Sequence, residues 1–362
     1  MERSASHRYH DGMGGRVRAA PARGVPFAAL AACLLLLSGC GAPPIDRVAP
    51  TPSGPPRPAA AGRQPLPVVY APLRGTFVDA AALRHPSLAV KIDNHEDARP
   101  QIALNRSDLV FEELVEGGLT RYLVVWHSDV PDEVGPVRSI RPMDPDIASP
   151  LGGIIAYSGG QEVFVDMMMS TPLANIVFDY DDTGLFERAE DRPGPHDVIL
   201  AASEAVARHA ALDPPPVQFA YGIADPLAAP ALAATATSRI ELVFSEGRSP
   251  SWEWDPGADA WLRSQEGVPD LEASGDRVRA ANVVTMRVGI DWSYGEVPRT
   301  VMVGTGEVWV SVAGRTAHGT WAKDAAGSPI VLTADDGSPL RLAPGNTWVE
   351  LVPNEGSVSL VP

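Results

Sequence analysis

The chain has 362 residues, two cysteines and a formal net charge of −16. So acidic a protein lacks the positive footprint that nucleic acid and anionic lipid headgroups require, and no nucleic-acid partner is expected. The length admits two domains besides a leader, and two cysteines cannot supply a disulfide framework.

Arginines at positions 8, 16, 18 and 23 precede an apolar run from Val25 to Leu37. The run is too short to remain in a bilayer as a spanning helix. It ends in Leu37-Ser38-Gly39-Cys40. Small residues there suit a peptidase and the cysteine suits lipid attachment, the order of a bacterial lipoprotein leader. Residues 1–39 are therefore expected to be a signal peptide. Cys40 becomes the lipid-modified first residue, and the membrane is a partner through that lipid. The expected location is the extracytoplasmic face of the cell membrane. Removing 1–39 leaves 24 basic against 43 acidic side chains, a formal charge of −19, and no cysteine beyond Cys40. Disulfides, cysteine nucleophiles and thiolate metal sites are thereby excluded. Residues 40–72 read as a stalk, with ten prolines from Pro43 to Pro72. Polyproline II, at about 3.1 Å per residue, would lift the folded part off the surface.

Residues 73–213 form the first predicted unit. Ser87 to Asp93 reads as a buried strand. Leu109 to His127 reads as a hairpin folded at Gly117-Gly118, with Glu112, Leu114, Glu116, Leu119, Arg121 and Leu123 on one face. A helix capped by Ser107 and stopped at Gly117 competes with it. Gly153 to Tyr157 is a second buried strand, which runs through Ser158-Gly159-Gly160 into a helix over 161–169. A further helix is predicted over 200–212. Residues 214–238 are an Ala- and Pro-rich connector. Residues 239–362 read as short alternating strands, with turns at Gly304-Thr305-Gly306 and Asp335-Asp336-Gly337. The fold class expected is α+β: an N-terminal α/β-type domain with a mixed sheet, then a small all-β barrel or sandwich.

Polar blocks punctuate the first unit: Ile92-Asp93-Asn94, Ala98-Arg99-Pro100-Gln101, Glu116 to Arg121, Gly135 to Arg141, and Pro195-His196. The second unit adds Ala281-Asn282-Val283-Val284, Gly304-Thr305-Gly306, Gly319-Thr320-Trp321 and Pro344 to Trp348. Together these resemble the signature blocks of the YerB-like bacterial lipoproteins over 73–362. The resemblance implies a two-domain, membrane-anchored envelope protein and implies no activity. This chain departs from the usual pattern at Asp197, where the family commonly has Asn after Pro-His.

The arginines are the sharpest chemical hint. Guanidinium groups hold carboxylate or phosphate in a forked geometry. Arg99, Arg121, Arg138 and Arg141 are the candidate anion-binding residues. Ser158, Gly159 and Gly160 would add backbone donors at a helix start. The expected ligand is an anionic envelope component, whether glycan, peptide or envelope protein. The competing reading is that these arginines, with Arg188 and Arg192, pair internally with Glu112, Glu113, Glu116, Asp93 and Asp97, in a purely structural lipoprotein. His196, in a Pro-restricted loop, is the candidate acid/base residue of an alternative envelope-processing enzyme, with Glu113 or Glu116 as its carboxylate. The bland role for His196 is to hydrogen-bond and fix its loop. Neither Ser139 nor Ser158 lies in a nucleophile elbow. Asp179 to Gly184 resembles half a calcium loop without its later Glu, and His127 and His196 lack helical histidine partners. No metal or cofactor is expected. Seven of the eight tryptophans lie in 239–362, as a sugar-stacking face or as core packing.

Overall fold

Residues 88–93 carry no exposed side chain, so this strand must be covered on both faces. In the computed structural model, which describes residues 68–222, 225–228 and 232–362, it lies inside a long mixed sheet. The Leu88–Asp93 strand pairs antiparallel with Thr120–Trp126 and parallel with Ile154–Tyr157. Thr120–Trp126 pairs antiparallel with Leu109–Leu114. Leu109–Leu114 pairs parallel with Thr347–Pro353, which pairs parallel with Asn282–Val288. Gly304–Val312 and Arg315–Lys323 extend the sheet beyond, to eleven strands in all. Both sequence segments thus build one sheet, and the described residues fall in one compact unit. The predicted signal peptide, the lipidation at Cys40 and most of the stalk lie outside the described residues.

Each face of this sheet has its own core. A six-stranded antiparallel sheet covers one face, including Arg239–Val243, Pro250–Asp255 and Ala260–Gln265. Its Ile240, Leu242, Trp252 and Trp261 meet Val90, Val110, Tyr122, Val124 and Trp348. On the other face, Ile147 of the Asp144–Ala148 helix and Phe164 and Met168 of the Glu162–Met169 helix join Leu123, Val125, Ile155 and Val349. Burying each such side chain is worth about 1.5–3 kcal/mol. The architecture is α+β, and no sheet among the described residues closes into a barrel. Trp252, Trp261, Trp321 and Trp348 are buried, and Trp292 is exposed. These four tryptophans therefore serve the core, while Trp254 and Trp309 are half-buried.

Several local expectations need correction. The hairpin forms, but Glu113 pairs with Arg121 and Leu114 with Thr120. The connection is five residues long, with Gly117 and Gly118 both at φ 71° and Val115 N–H donating to Leu119. Relative to a two-residue turn this shifts the register by one, which exchanges faces. Glu113 and Phe111 thus share a face with Arg121 and Leu123, while Glu112 and Leu114 share one with Thr120 and Tyr122. The helix expected over 200–212 begins as a strand, Val198–Ala201, and becomes helical only over Ala202–Arg208. Its first residues are buried and pair with Phe186–Arg188. Gly304-Thr305-Gly306 is not a turn but the start of the Gly304–Val312 strand. The end of the stalk is already folded, since Val68–Tyr70 pairs with Phe77–Asp79 and Ala71 is buried. The connector is docked: Phe219 and Leu227 are buried, and the Tyr221 hydroxyl donates to Leu73 at 2.6 Å.

Candidate functional site

Parallel strands end on the same side of a sheet, and loops leaving those ends gather there. Asp93 closes its strand, Glu116 follows the end of Leu109–Leu114, and Ser158 follows Ile154–Tyr157. Arg121 opens the antiparallel strand at the same edge, opposite Asp93. The 135–141 block runs alongside: Asp93 N–H donates to Pro136, and Arg138 N–H to Lys91. The Pro195-His196 loop completes the rim. The polar blocks scattered through 93–197 are thereby brought together.

Arg121 donates to the Ser139 carbonyl at 2.7 Å and lies 3.6 Å from Glu116. Arg141 grips both carboxylate oxygens of Glu116, the Nε contact at 2.6 Å, and donates to the Ile140 carbonyl at 2.7 Å. Arg138 Nε lies 3.2 Å from Asp93 Oδ2. Three guanidiniums therefore share two carboxylates. Burial pushes the Arg121 guanidinium down to about 10, and the nearby Arg141 adds to the fall. Glu116 responds oppositely: burial would raise its carboxyl, but the Arg141 hydrogen bonds and charge hold it at about 2. Arg99 stands apart. It donates to Asn94 Oδ1 at 3.1 Å and to the Asn94 carbonyl at 3.0 Å, with Glu266 at 3.8 Å.

At the serine–glycine junction, Ser158 is engaged within the protein. Ser158 N–H donates to the Arg138 carbonyl, and its hydroxyl lies 3.2 Å from Ser139 Oγ. Gly159 has φ 153°, and a β-carbon there would collide with the Asp179 carboxylate. Gly160 fits against Ile140, with no room to spare for a side chain.

His196 Nδ1 lies 2.7 Å from Asp93 Oδ2, the oxygen that also faces Arg138. Burial alone would raise the Asp93 carboxyl; the His196 hydrogen bond, Arg121 and Arg138 outweigh it and hold Asp93 below its ordinary range. The His95 ring stacks on His196, with centroids 4.5 Å apart and planes 15° apart. Among the described residues, no hydrogen bond joins His196 to Glu113 or Glu116. Glu113 is instead fully buried in a triad with Lys91 and Asp144, in which Lys91 Nζ lies 2.8 Å from Asp144. Burial and the Asp144 charge push the Glu113 carboxyl up to about 8. Asp197 takes Arg188 at 2.7 and 2.9 Å.

His95 was the member of this cluster least visible as a functional residue, Asp93 having stood out as a carboxylate partner for the arginines. The only signal of His95 is the strand-ending Asp93-Asn94-His95-Glu96-Asp97 run. A second polar network was missed altogether. Arg263, fully buried, donates to Glu112 at 2.6 Å and pairs with Asp270, with the rings of Tyr122, Trp252 and Trp348 within 6.0 Å. Trp252 Nε1 donates to Glu350, the register neighbour of Glu112.

The α+β architecture, with a rim of arginine, histidine and carboxylate at the strand ends of its long mixed sheet, is the fold class the sequence blocks suggest. Family models describing the N- and C-terminal domains of a protein of unknown function, DUF3048, match residues 74–213 and 240–349. The chain belongs to this YerB-like family. It is 25% identical over 304 residues, 80% of this chain and 88% of the relative, to the Bacillus subtilis (strain 168) protein named "Putative lipoprotein YerB". The crystal structure of YerB from Bacillus subtilis superposes with a TM-score of 0.69 at 23% identity. That match covers 80% of this chain and 99% of the other, and it carries the fold. No described helix is long and apolar enough to cross a membrane.

Proposed function

We propose that the protein is a lipid-anchored lipoprotein of the extracytoplasmic membrane face that binds an anionic envelope component at the Arg121–Arg138–Arg141 rim. The observation that carries this reading is the charge imbalance: three guanidiniums face two carboxylates within an acidic protein. A carboxylate or phosphate would complete that balance, and forked donors suit either. The leader ending in Cys40 and the likeness to a protein named as a lipoprotein support the anchor. Compatible ligands are an anionic glycan, a peptide stem or an acidic face of an envelope protein.

The test is thermal unfolding of the full chain in detergent micelles with muropeptides, anionic glycopolymer fragments, acidic peptides, phosphate and sulfate. A ligand at about 100 times its Kd stabilises by about 2.7 kcal/mol. The expected result is one class that stabilises the wild type and fails with Arg138→Ala. Silence across the panel sinks the anion reading and leaves the arginines as structural braces.

The Asp93–His196 contact supports a second reading, an enzyme on the same material. In it Asp93, rather than Glu113 or Glu116, orients the histidine for proton transfer. An envelope-fragment turnover lost in a folded His196→Ala chain would favour it.

A further inference from the structure

His95, Asp97 and His196 are separated in sequence but offer donor atoms that all lie within 4.8 Å of one another. We infer that these three residues form a site for a divalent transition-metal ion of the zinc class, with Asp93 orienting His196 from behind. The inference does not rest on the anion reading, because no arginine is among the ligands.

The donor set argues for the metal. Two imidazole nitrogens and one carboxylate oxygen, with the fourth position open to water, are the ligand types of a non-structural zinc centre. The support behind the ligands argues further. A metal-bound histidine ordinarily gives its other ring N–H to a carboxylate, a backbone carbonyl or water. His196 Nδ1 already meets Asp93 Oδ2 at 2.7 Å, and the same carboxylate accepts from His95 N–H at 3.1 Å. With Nδ1–H directed at Asp93, a neutral His196 carries its lone pair on Nε2. One carboxylate therefore braces both histidine positions.

Distances set the adjustment required. Tetrahedral zinc with bonds of about 2.0–2.1 Å places its ligand atoms about 3.4 Å apart. The present spread of up to 4.8 Å exceeds that by about an ångström and a half. The adjustable side chains are the exposed Asp97 and the partly exposed His95, while His196 is nearly buried. Binding also requires the partly exposed His95 ring to turn out of its stack on His196, since near-parallel rings cannot both aim a lone pair at one ion, and it gives up the Asp97 N–H to His95 Nδ1 hydrogen bond at 3.2 Å. The surrounding charge is mixed. Glu96 lies 3.6 Å from His95 and favours a cation, and Arg138 on Asp93 opposes it. Searching for helical His-x-x-x-His spacing misses the site because one histidine comes from the loop after a strand and the other from a loop about a hundred residues later.

The experiment is a competition titration of the chelator-treated full chain, in detergent micelles, with Zn²⁺ against a chromophoric chelator. Co²⁺ absorption reports coordination geometry in parallel. One equivalent is expected to bind, with Co²⁺ giving the intense visible bands of a four-coordinate site. His95→Ala and Asp97→Asn should each weaken binding by about tenfold or more, and Asp93→Asn by about 10- to 100-fold. His85→Ala, which alters the separate His85–His127 ring pair, should leave binding unchanged. Absence of saturable binding, or binding that survives both His95→Ala and Asp97→Asn, overturns the inference. Should His196→Ala fail to fold, the partly exposed His95 and Asp97 variants decide the matter.

Discussion

Two arginine clusters in this molecule use the same chemistry for opposite ends. Arg263 is sealed between the two stacked sheets, with carboxylates on two sides and three aromatic rings around it. The attraction of Glu112 and its companions outweighs burial and holds its guanidinium firmly charged. Arg121, Arg138 and Arg141 sit at the rim of the long sheet, where donors outnumber carboxylates and part of each pair meets solvent. The contrast teaches that pairing alone does not identify a structural arginine. What separates the two clusters is which charge is in excess: carboxylates around Arg263, guanidiniums at the rim.

The largest expected effect comes from the sealed cluster. Arg263→Met leaves Glu112 and Asp270 buried without their cation, and should cost about 3–5 kcal/mol in urea unfolding. A loss below about 1 kcal/mol would erase the distinction between the clusters. Next comes the triad beneath the rim. Glu113 holds its proton up to about 8 when folded, against an ordinary value of 4.5. Its folded form is therefore favoured fully below 4.5, and that favour is lost as pH rises to about 8. Wild-type stability should fall across this window and the Glu113→Gln variant should fall less, measured by urea midpoints at stepped pH.

At the rim the sign reverses. Glu116, held at about 2 when folded, contributes stability above 4.5 that disappears as pH drops towards 2. Glu116→Gln should flatten this acid limb and cost about 1 kcal/mol at neutral pH, once solvent screening is allowed for. If the rim is a binding surface, the same variant should also bind the rim's anionic ligand more tightly, because two guanidiniums lose their internal carboxylate. A purely structural rim would show the stability loss without the gain. Smallest of all is Glu204→Ala, which removes an exposed helical pair with Arg208. It should change stability by no more than about 0.5 kcal/mol, a baseline against which the rim effects are read.

Much of this was legible in the residues, for reasons that are local. The runs at 88–93 and 154–157 are mostly apolar, the first broken only by Lys91 and Asp93, because both faces are covered, and they read as buried strands on that account. Paired glycines marked the hairpin. Its register was not legible, because Val115 and Leu119 close a longer turn and one residue of slip exchanges the faces. The polar blocks were legible as blocks, but their partners were not: Asp93 and His196 meet across 103 positions and Glu112 and Arg263 across 151. Residue 263 lies in an ordinary alternating strand and carries no local mark of its burial. Contacts of that range are decided by how sheets stack, which periodicity does not encode.

The parallel pairing of Leu109–Leu114 with Thr347–Pro353 also fixes an order of events in the life of the chain. Over two hundred residues must be made before that edge finds its neighbour, and such distant closures are slow. Until then the early hairpin presents an open edge with Leu109, Val110, Phe111 and Leu114 uncovered, the kind that recruits foreign strands. A chain interrupted just before Thr347 would lose more than its tail: it would release an early-made half with an unsealed edge and a strong tendency to aggregate.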